Sequence, residues 1–91
     1  MDRLKDKIAV ITGAAKGIGY ETVRRFLNEG AQVVMTDLDV EEGKAASGHF
    51  GTSCNFISQD VTDELSWDKL ENHIKTTYGR LDILVNNAGI L

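Results

Sequence analysis

Apolar positions along the 91-residue chain follow two patterns that alternate from end to end. Ile8-Ala9-Val10-Ile11, within Lys7 to Thr12, is a short unbroken apolar run, the pattern of a strand covered on both faces of a parallel sheet. Val33-Val34-Met35 (within Ala31 to Thr36), Phe56-Ile57 (within Cys54 to Ser58) and Ile83-Leu84-Val85 (within Leu81 to Asn86) repeat it. Between the runs the spacing is helical. Val23, Phe26, Leu27 and Gly30 fall at i, i+3, i+4 and i+7, and Gly30 offers a left-handed stop. Trp67, Leu70, Ile74 and Tyr78 share one face of a helix predicted from Asp63 to Tyr78 and ended by Gly79. Glu41 to Ser47 is a shorter and weaker helix candidate, acidic at its start as the helix dipole favours. Asp37 to Val40 reads as a turn, and Ser47 to Ser53 as a loop carrying Gly48 and Gly51.

Strands alternating with helices imply right-handed crossovers. The expected fold class is therefore α/β: a Rossmann-like, doubly wound parallel sheet of about four strands with helices on both faces. Residues 1–91 form one domain on this reading. Such a sheet normally continues, so this one looks incomplete. The fourth strand then lies at an open edge, followed by the apolar tail Ala88-Gly89-Ile90-Leu91, and open edges invite pairing with another chain.

Charge and composition narrow the partners. Ten basic residues against fourteen acidic ones give a net charge of −4, which argues against a nucleic-acid binder. No apolar run reaches the roughly 18 residues of a membrane span, and the mixed charges of Met1 to Lys7 do not resemble a secretory leader. The single cysteine, Cys54, cannot form an internal disulfide, and with His49 and His73 it makes no ligand-spaced metal cluster. A cytoplasmic protein without a metal site is the expectation. Cys54 reads as a packing residue, and neither histidine has a partner that would make it a base.

The chemistry concentrates at strand ends. Thr12-Gly13-Ala14-Ala15-Lys16-Gly17-Ile18-Gly19 joins the first strand to the first helix. Backbone N–H groups at a helix start, with the positive end of its dipole, attract a pyrophosphate, and a side chain at these glycines would block the approach or the turn. Asp37 stands eighteen residues after Gly19, near the spacing expected of an acid that accepts from ribose hydroxyls. A carboxylate there repels a 2′-phosphate and favours NAD over NADP. Lys16 argues the other way, because its ammonium could reach such a phosphate; the Asp37 repulsion is given more weight.

Together these residues resemble the short-chain dehydrogenase/reductase family. Thr12-Gly13-x-x-x-Gly17-x-Gly19 looks like its cofactor turn, Asp60-Val61 at the end of the third strand like a second hallmark, and Asn86-Asn87-Ala88-Gly89 after the fourth strand like another. The resemblance spans Lys7 to Gly89. It implies that Gly13, Gly17, Ile18 and Gly19 line the pyrophosphate and the path to the nicotinamide, with Lys16 beside them. It implies that Asp37 holds the adenosine ribose and that Asp60 accepts from the adenine amino group. The Val61 backbone would meet the adenine ring, and Asn87, Ala88 and Gly89 would pass under the cofactor, with Asn87 tying neighbouring strands together. The implied activity is hydride transfer between NAD(H) and a small alcohol or ketone, in an enzyme that is usually a homo-oligomer.

One part of the family pattern is missing. A Tyr-x-x-x-Lys pair with a serine does the family's proton chemistry, yet Tyr20 is followed four residues on by Arg24 and Tyr78 by Asp82. The catalytic Tyr, Lys and Ser are thus expected beyond Leu91, and the 91-residue chain alone is expected to be inactive. A non-catalytic nucleotide-binding or subunit-interaction module is the alternative, motivated by the open fourth strand. A methyltransferase of similar fold would leave the glycine turn and the Asn-Asn-Ala-Gly run without a purpose.

Overall fold

The structure is a computed structural model that describes residues 2–88. It contains β1 (Ile8–Ile11), α1 (Gly17–Asn28), β2 (Gln32–Asp37), α2 (Val40–Gly48), β3 (Cys54–Ser58), α3 (Glu64–Tyr78) and β4 (Ile83–Val85). The strands form one sheet in the order β3-β2-β1-β4, with every pair parallel. This is the Rossmann-like α/β sheet expected from the alternation of runs. Gly89 and the tail to Leu91 lie outside the described residues.

The pleat divides the apolar runs between two layers. Ala9, Ile11, Val33 and Met35 face α1 and α2, where they meet Val23 and Ala46. Ile8, Val10 and Val34 face α3, where they meet Leu70 and Ile74, with Trp67 and Tyr78 packed at the margin. Val10, Ile11, Val23, Val33, Val34 and Met35 are fully buried. Each contributes roughly 1.5–3 kcal/mol by leaving water. The connections β1-α1-β2 and β2-α2-β3 step outward on one face. The connection β3-α3-β4 returns across the sheet on the other face, so the strand order reverses between β1 and β4.

Helix ends follow their chemistry. Asp39 caps α2 by accepting from the Glu42 N–H at 3.0 Å, and Asp63 caps α3 by accepting from the Leu65 N–H at 3.0 Å. Gly79 closes α3 in the left-handed region, at φ +82, and Gly30 follows α1 at φ +94.

Two sequence expectations are corrected. Helix α2 extends beyond Glu41–Ser47 at both ends, because Asp39 caps it one residue before Val40 and because its buried contacts come from Gly43 and Ala46. Small residues carry little weight in an apolar-periodicity reading. Asp37 closes β2 instead of opening a turn: it pairs with Ser58, and its carbonyl accepts from the Gln59 N–H at 3.0 Å.

Strand β4 is the short edge strand. Among the described residues it pairs with β1 alone, and the Asp82 carboxylate fixes its start by accepting from the Ile8 N–H at 2.8 Å. That hydrogen bond, with the Arg80 guanidinium, holds the Asp82 carboxyl below the usual carboxylate range. A lowered folded-state pKa gives a contribution that is present above the unfolded value and lost as pH falls through the folded one. Asp82→Asn should therefore remove part of the stability loss seen below about pH 4, measured as the wild-type minus mutant difference in urea midpoint across an acid titration. A second expectation concerns α2. A Cβ on Gly43 would enter the Phe56 ring, 2.6 Å from Cδ1 and closer still to Cε1 and Cζ, whereas a Cβ on Gly48 meets nothing within 4 Å. Gly43→Ala should cost about 1–3 kcal/mol in urea unfolding, and Gly48→Ala should leave the midpoint nearly unchanged.

Candidate functional site

The reversal between β1 and β4 opens a crevice at the carboxyl ends of the strands, the place where open α/β sheets bind ligands. A pocket of about 250 Å³ lies there, lined by Gly13 after β1, Asp37 and Leu38 at the end of β2, Gln59 to Thr62 after β3, and Ala88 after β4. It brings together Gly13, Asp37, Asp60, Val61 and Ala88, which stand far apart in sequence.

The floor between β1 and β4 is a close backbone contact. Gly13 adopts φ +62, and a Cβ there would lie 2.8 Å from the Ala88 Cα. A Cβ on Gly19 would collide with the Gly13 carbonyl and lie 2.7 Å from Asn87 Nδ2. Gly19 thus packs against the turn and the β4 exit. Hydrogen bonds join the two exits. Asn87 Nδ2 donates to the Gly13 carbonyl at 3.1 Å, the Thr12 hydroxyl donates to Asn86 Oδ1 at 2.9 Å, and the Ala88 N–H donates to Thr12 Oγ1 at 3.1 Å. Asn87 does tie neighbouring strands together.

The glycine turn leaves the start of α1 open. Gly17 has φ +66 and open space where a Cβ would stand. Lys16 occupies the N-cap position but gives no side-chain cap, and the first turn contains no acid. The first N–H groups of a helix have no partner within it. Ile18, in that first turn, is 77% exposed, which is high for an isoleucine. Lys16 extends into solvent with its ammonium 4.0 Å from the Glu42 carboxylate.

The acids of the pocket are held in different ways. Asp37 accepts from the Ala15 N–H through Oδ2 and from the Asp39 N–H through Oδ1, each at 3.0 Å, so it links the end of β2 to the glycine turn. Asp60 Oδ1 accepts from the Thr62 hydroxyl at 2.6 Å and the Thr62 N–H at 2.9 Å. These bonds hold its carboxyl below the usual range, and it stays ionised at neutral pH. The Val61 carbonyl accepts from Trp67 Nε1 at 2.8 Å, which fixes the loop after β3 to α3.

Several pocket residues carry no local signal in the sequence. Leu38, Gln59 and Thr62 line it, and buried Thr36 donates to Gln59 Oε1 at 2.7 Å. A polar residue at the end of an apolar run is the one feature that marks Thr12, Thr36 and Gln59 beforehand. The histidines and Cys54 lie elsewhere. His73 is half-buried with its ring 6.4 Å from Tyr78, and burial pushes the Cys54 thiol up to about 12. Among the described residues no cluster of ligands suits a metal ion, and no helix is long and apolar enough to cross a membrane. A larger concavity of about 460 Å³ runs along α3, bordered by Leu70, Ile74, Leu81 and Leu84. It lies away from the strand exits, and its lining offers apolar packing and surface charge without the convergent backbone groups of the crevice.

Comparison with known proteins gives the same family that the motifs resemble. A family model described as short chain dehydrogenase matches residues 7–91. The chain is 38% identical over 90 residues to 3-beta-hydroxysteroid dehydrogenase of Comamonas testosteroni, covering 99% of this chain and 35% of that protein. It is 39% identical over 88 residues to galactitol 2-dehydrogenase of Agrobacterium fabrum, covering 97% and 34%. It is 42% identical over 91 residues to NADP-dependent (R)-specific alcohol dehydrogenase of Lentilactobacillus kefiri, covering 98% and 36%. The chain spans about a third of the length of these relatives.

The two glycines should respond differently to alanine. Gly19→Ala forces the Gly13 and Asn87 contacts apart, whereas Gly17→Ala pays for left-handed backbone, about 1–2 kcal/mol, without touching a neighbour. In amide NMR spectra, Gly19→Ala should shift the Asn87 side-chain resonances and lower the urea midpoint further, while Gly17→Ala leaves those resonances in place.

Proposed function

The chain belongs to the short-chain dehydrogenase family, and from that premise we propose that residues 1–91 are the cofactor-binding part of an oxidoreductase acting on an alcohol or ketone with NAD(H). The observation that carries this reading is the uncapped start of α1. Asp39 and Asp63 cap the other two helices, while α1 has no side-chain cap at Lys16, no acid in its first turn, and open space where a Cβ on Gly17 would stand. Such an end accepts an anion.

The residues present fit a dinucleotide. The first turn of α1, with Gly13, Gly17 and Ile18, would hold the pyrophosphate, and Gly19 keeps the turn close enough to the β4 exit. Asp37 would accept from the adenosine ribose hydroxyls, Asp60 from the adenine amino group, and the Val61 backbone would border the ring. Asn87 and Ala88 would pass beneath the cofactor. When bound, the nicotinamide supplies the hydride acceptor or donor. The chain's own part is to bind, orient and exclude water.

The tyrosines have structural work. The Tyr20 ring packs 4.9 Å from that of Phe50, and the Tyr78 hydroxyl accepts from Asn55 Nδ2 at 2.7 Å. Neither is followed by lysine at the fourth position, so the group that moves the substrate proton is expected in the part of the enzyme that this chain does not span. The relatives named above act on hydroxysteroids, a sugar alcohol and alcohols, which supports a small alcohol or ketone as the substrate class. A homo-oligomeric cytoplasmic enzyme fits the same reading. Leu84 on β4, 50% exposed, favours a second reading as a subunit-interaction module; a clean monomer by light scattering at high concentration would count against it.

The 91-residue chain should bind NADH, seen as enhanced nicotinamide fluorescence, and should bind NADPH more weakly, without turning over an alcohol. Asp37→Ala should narrow the difference. Equal affinity of the unmutated chain for both would remove the role given to Asp37, and no binding of either would sink the cofactor reading.

A further inference from the structure

Among the described residues, the lining of the crevice pocket contains Asp37 and Asp60 and no lysine or arginine. Lys16 is the cation of the glycine turn. It follows Ala15, whose N–H is bound to the Asp37 carboxylate, so its backbone sits one residue from the acid expected at the ribose. A 2′-phosphate carries a charge of about −1.5 to −2, and Lys16 is the group placed to balance it. The ammonium is instead directed to Glu42, at 4.0 Å.

Glu42 is fixed on the same frame as Asp37. The Asp39 N–H donates to Asp37 Oδ1, and the Glu42 N–H donates to Asp39 Oδ1, each at 3.0 Å. Capping of α2 therefore sets where the Glu42 backbone stands relative to the ribose acid, and the ion pair with Lys16 engages its carboxylate. A phosphate at the 2′ position would meet the Asp37 charge, would have to win Lys16 from Glu42, and would face the Glu42 charge as well.

We infer that Glu42 is a specificity-determining residue, which discriminates against a 2′-phosphorylated adenosine by holding Lys16 on α2. This rests on the reading that the crevice takes an adenine dinucleotide. Glu42 is not among the residues that line the pocket, and its carboxylate reaches the site only through Lys16.

The test uses the 91-residue chain with two probes of the adenosine end, 5′-AMP and adenosine 2′,5′-bisphosphate, titrated by amide NMR. Glu42→Gln should raise affinity for the bisphosphate relative to 5′-AMP by roughly three- to fivefold, the scale of an exposed ion pair. The gain should vanish in the Lys16→Met background, and Glu41→Gln, at the neighbouring exposed acid, should give a smaller change. An unchanged ratio in Glu42→Gln overturns the inference, as does a gain that persists without Lys16. If 5′-AMP moves the amides of Gly13, Asp37 and Asp60 but the ratio stays fixed, the inference fails alone. If neither probe moves them, the cofactor reading fails with it.

Discussion

Two backbone exits, one after β1 and one after β4, approach so closely that a side chain on Gly13 or Gly19 would collide across them. Gly13 lies against Ala88, and Gly19 lies against Gly13 and Asn87. The rest of the site depends on this contact. It sets the direction in which α1 leaves the sheet, and so where its unpaired N–H groups point. It also gives Thr12, Asn86 and Asn87 a fixed set of partners in a place where buried polar groups without partners would be costly. The contact becomes possible because the strand order reverses between β1 and β4, with α1 and α3 on opposite faces.

Electrostatics follow from that frame. Most acids of the region have backbone duties: Asp39 and Asp63 cap helices, Asp82 anchors β4, and Asp37 binds the glycine turn. Asp37 is therefore both the expected ribose acid and a brace for the turn. Its carboxylate accepts from the Ala15 N–H in the turn and from the Asp39 N–H at the start of α2. Glu42 has no such second duty through its side chain, which forms an ion pair at the surface.

What could be read from the sequence divides by range. The continuous apolar runs of β1 and β2 were legible because helices cover both faces of those strands. The α3 stripe was legible because Trp67, Leu70, Ile74 and Tyr78 are large and regularly spaced. Helix α2 was underestimated because Gly43 and Ala46 meet the sheet through their smallness, with the Phe56 ring filling the space. At the site, the glycine turn is legible from its own spacing, while Asp37 and the Asn86 to Ala88 run stand out only by their distance from that turn and by the family pattern they resemble, since their partners lie 22 and 74 to 76 residues away. The pairing of Thr36 with Gln59 and of Lys16 with Glu42 depends on strand register and on how two helices stand together, and no local spacing encodes either.

The shortness of β4 has a consequence for any ligand of the crevice. This strand reaches the sheet through the pairs Ala9↔Ile83, Val10↔Leu84 and Ile11↔Val85, at an edge, and it carries the Asn86 to Ala88 side of the floor. Elements held by few contacts open at lower free energy than the core. The Asn86 to Ala88 side of the floor stands where β4 places it, so the crevice is complete only with β4 paired to β1. Substitutions that loosen β4, such as at Asp82, would then weaken binding from a distance, and a ligand spanning both exits would in turn fasten the edge strand to the sheet.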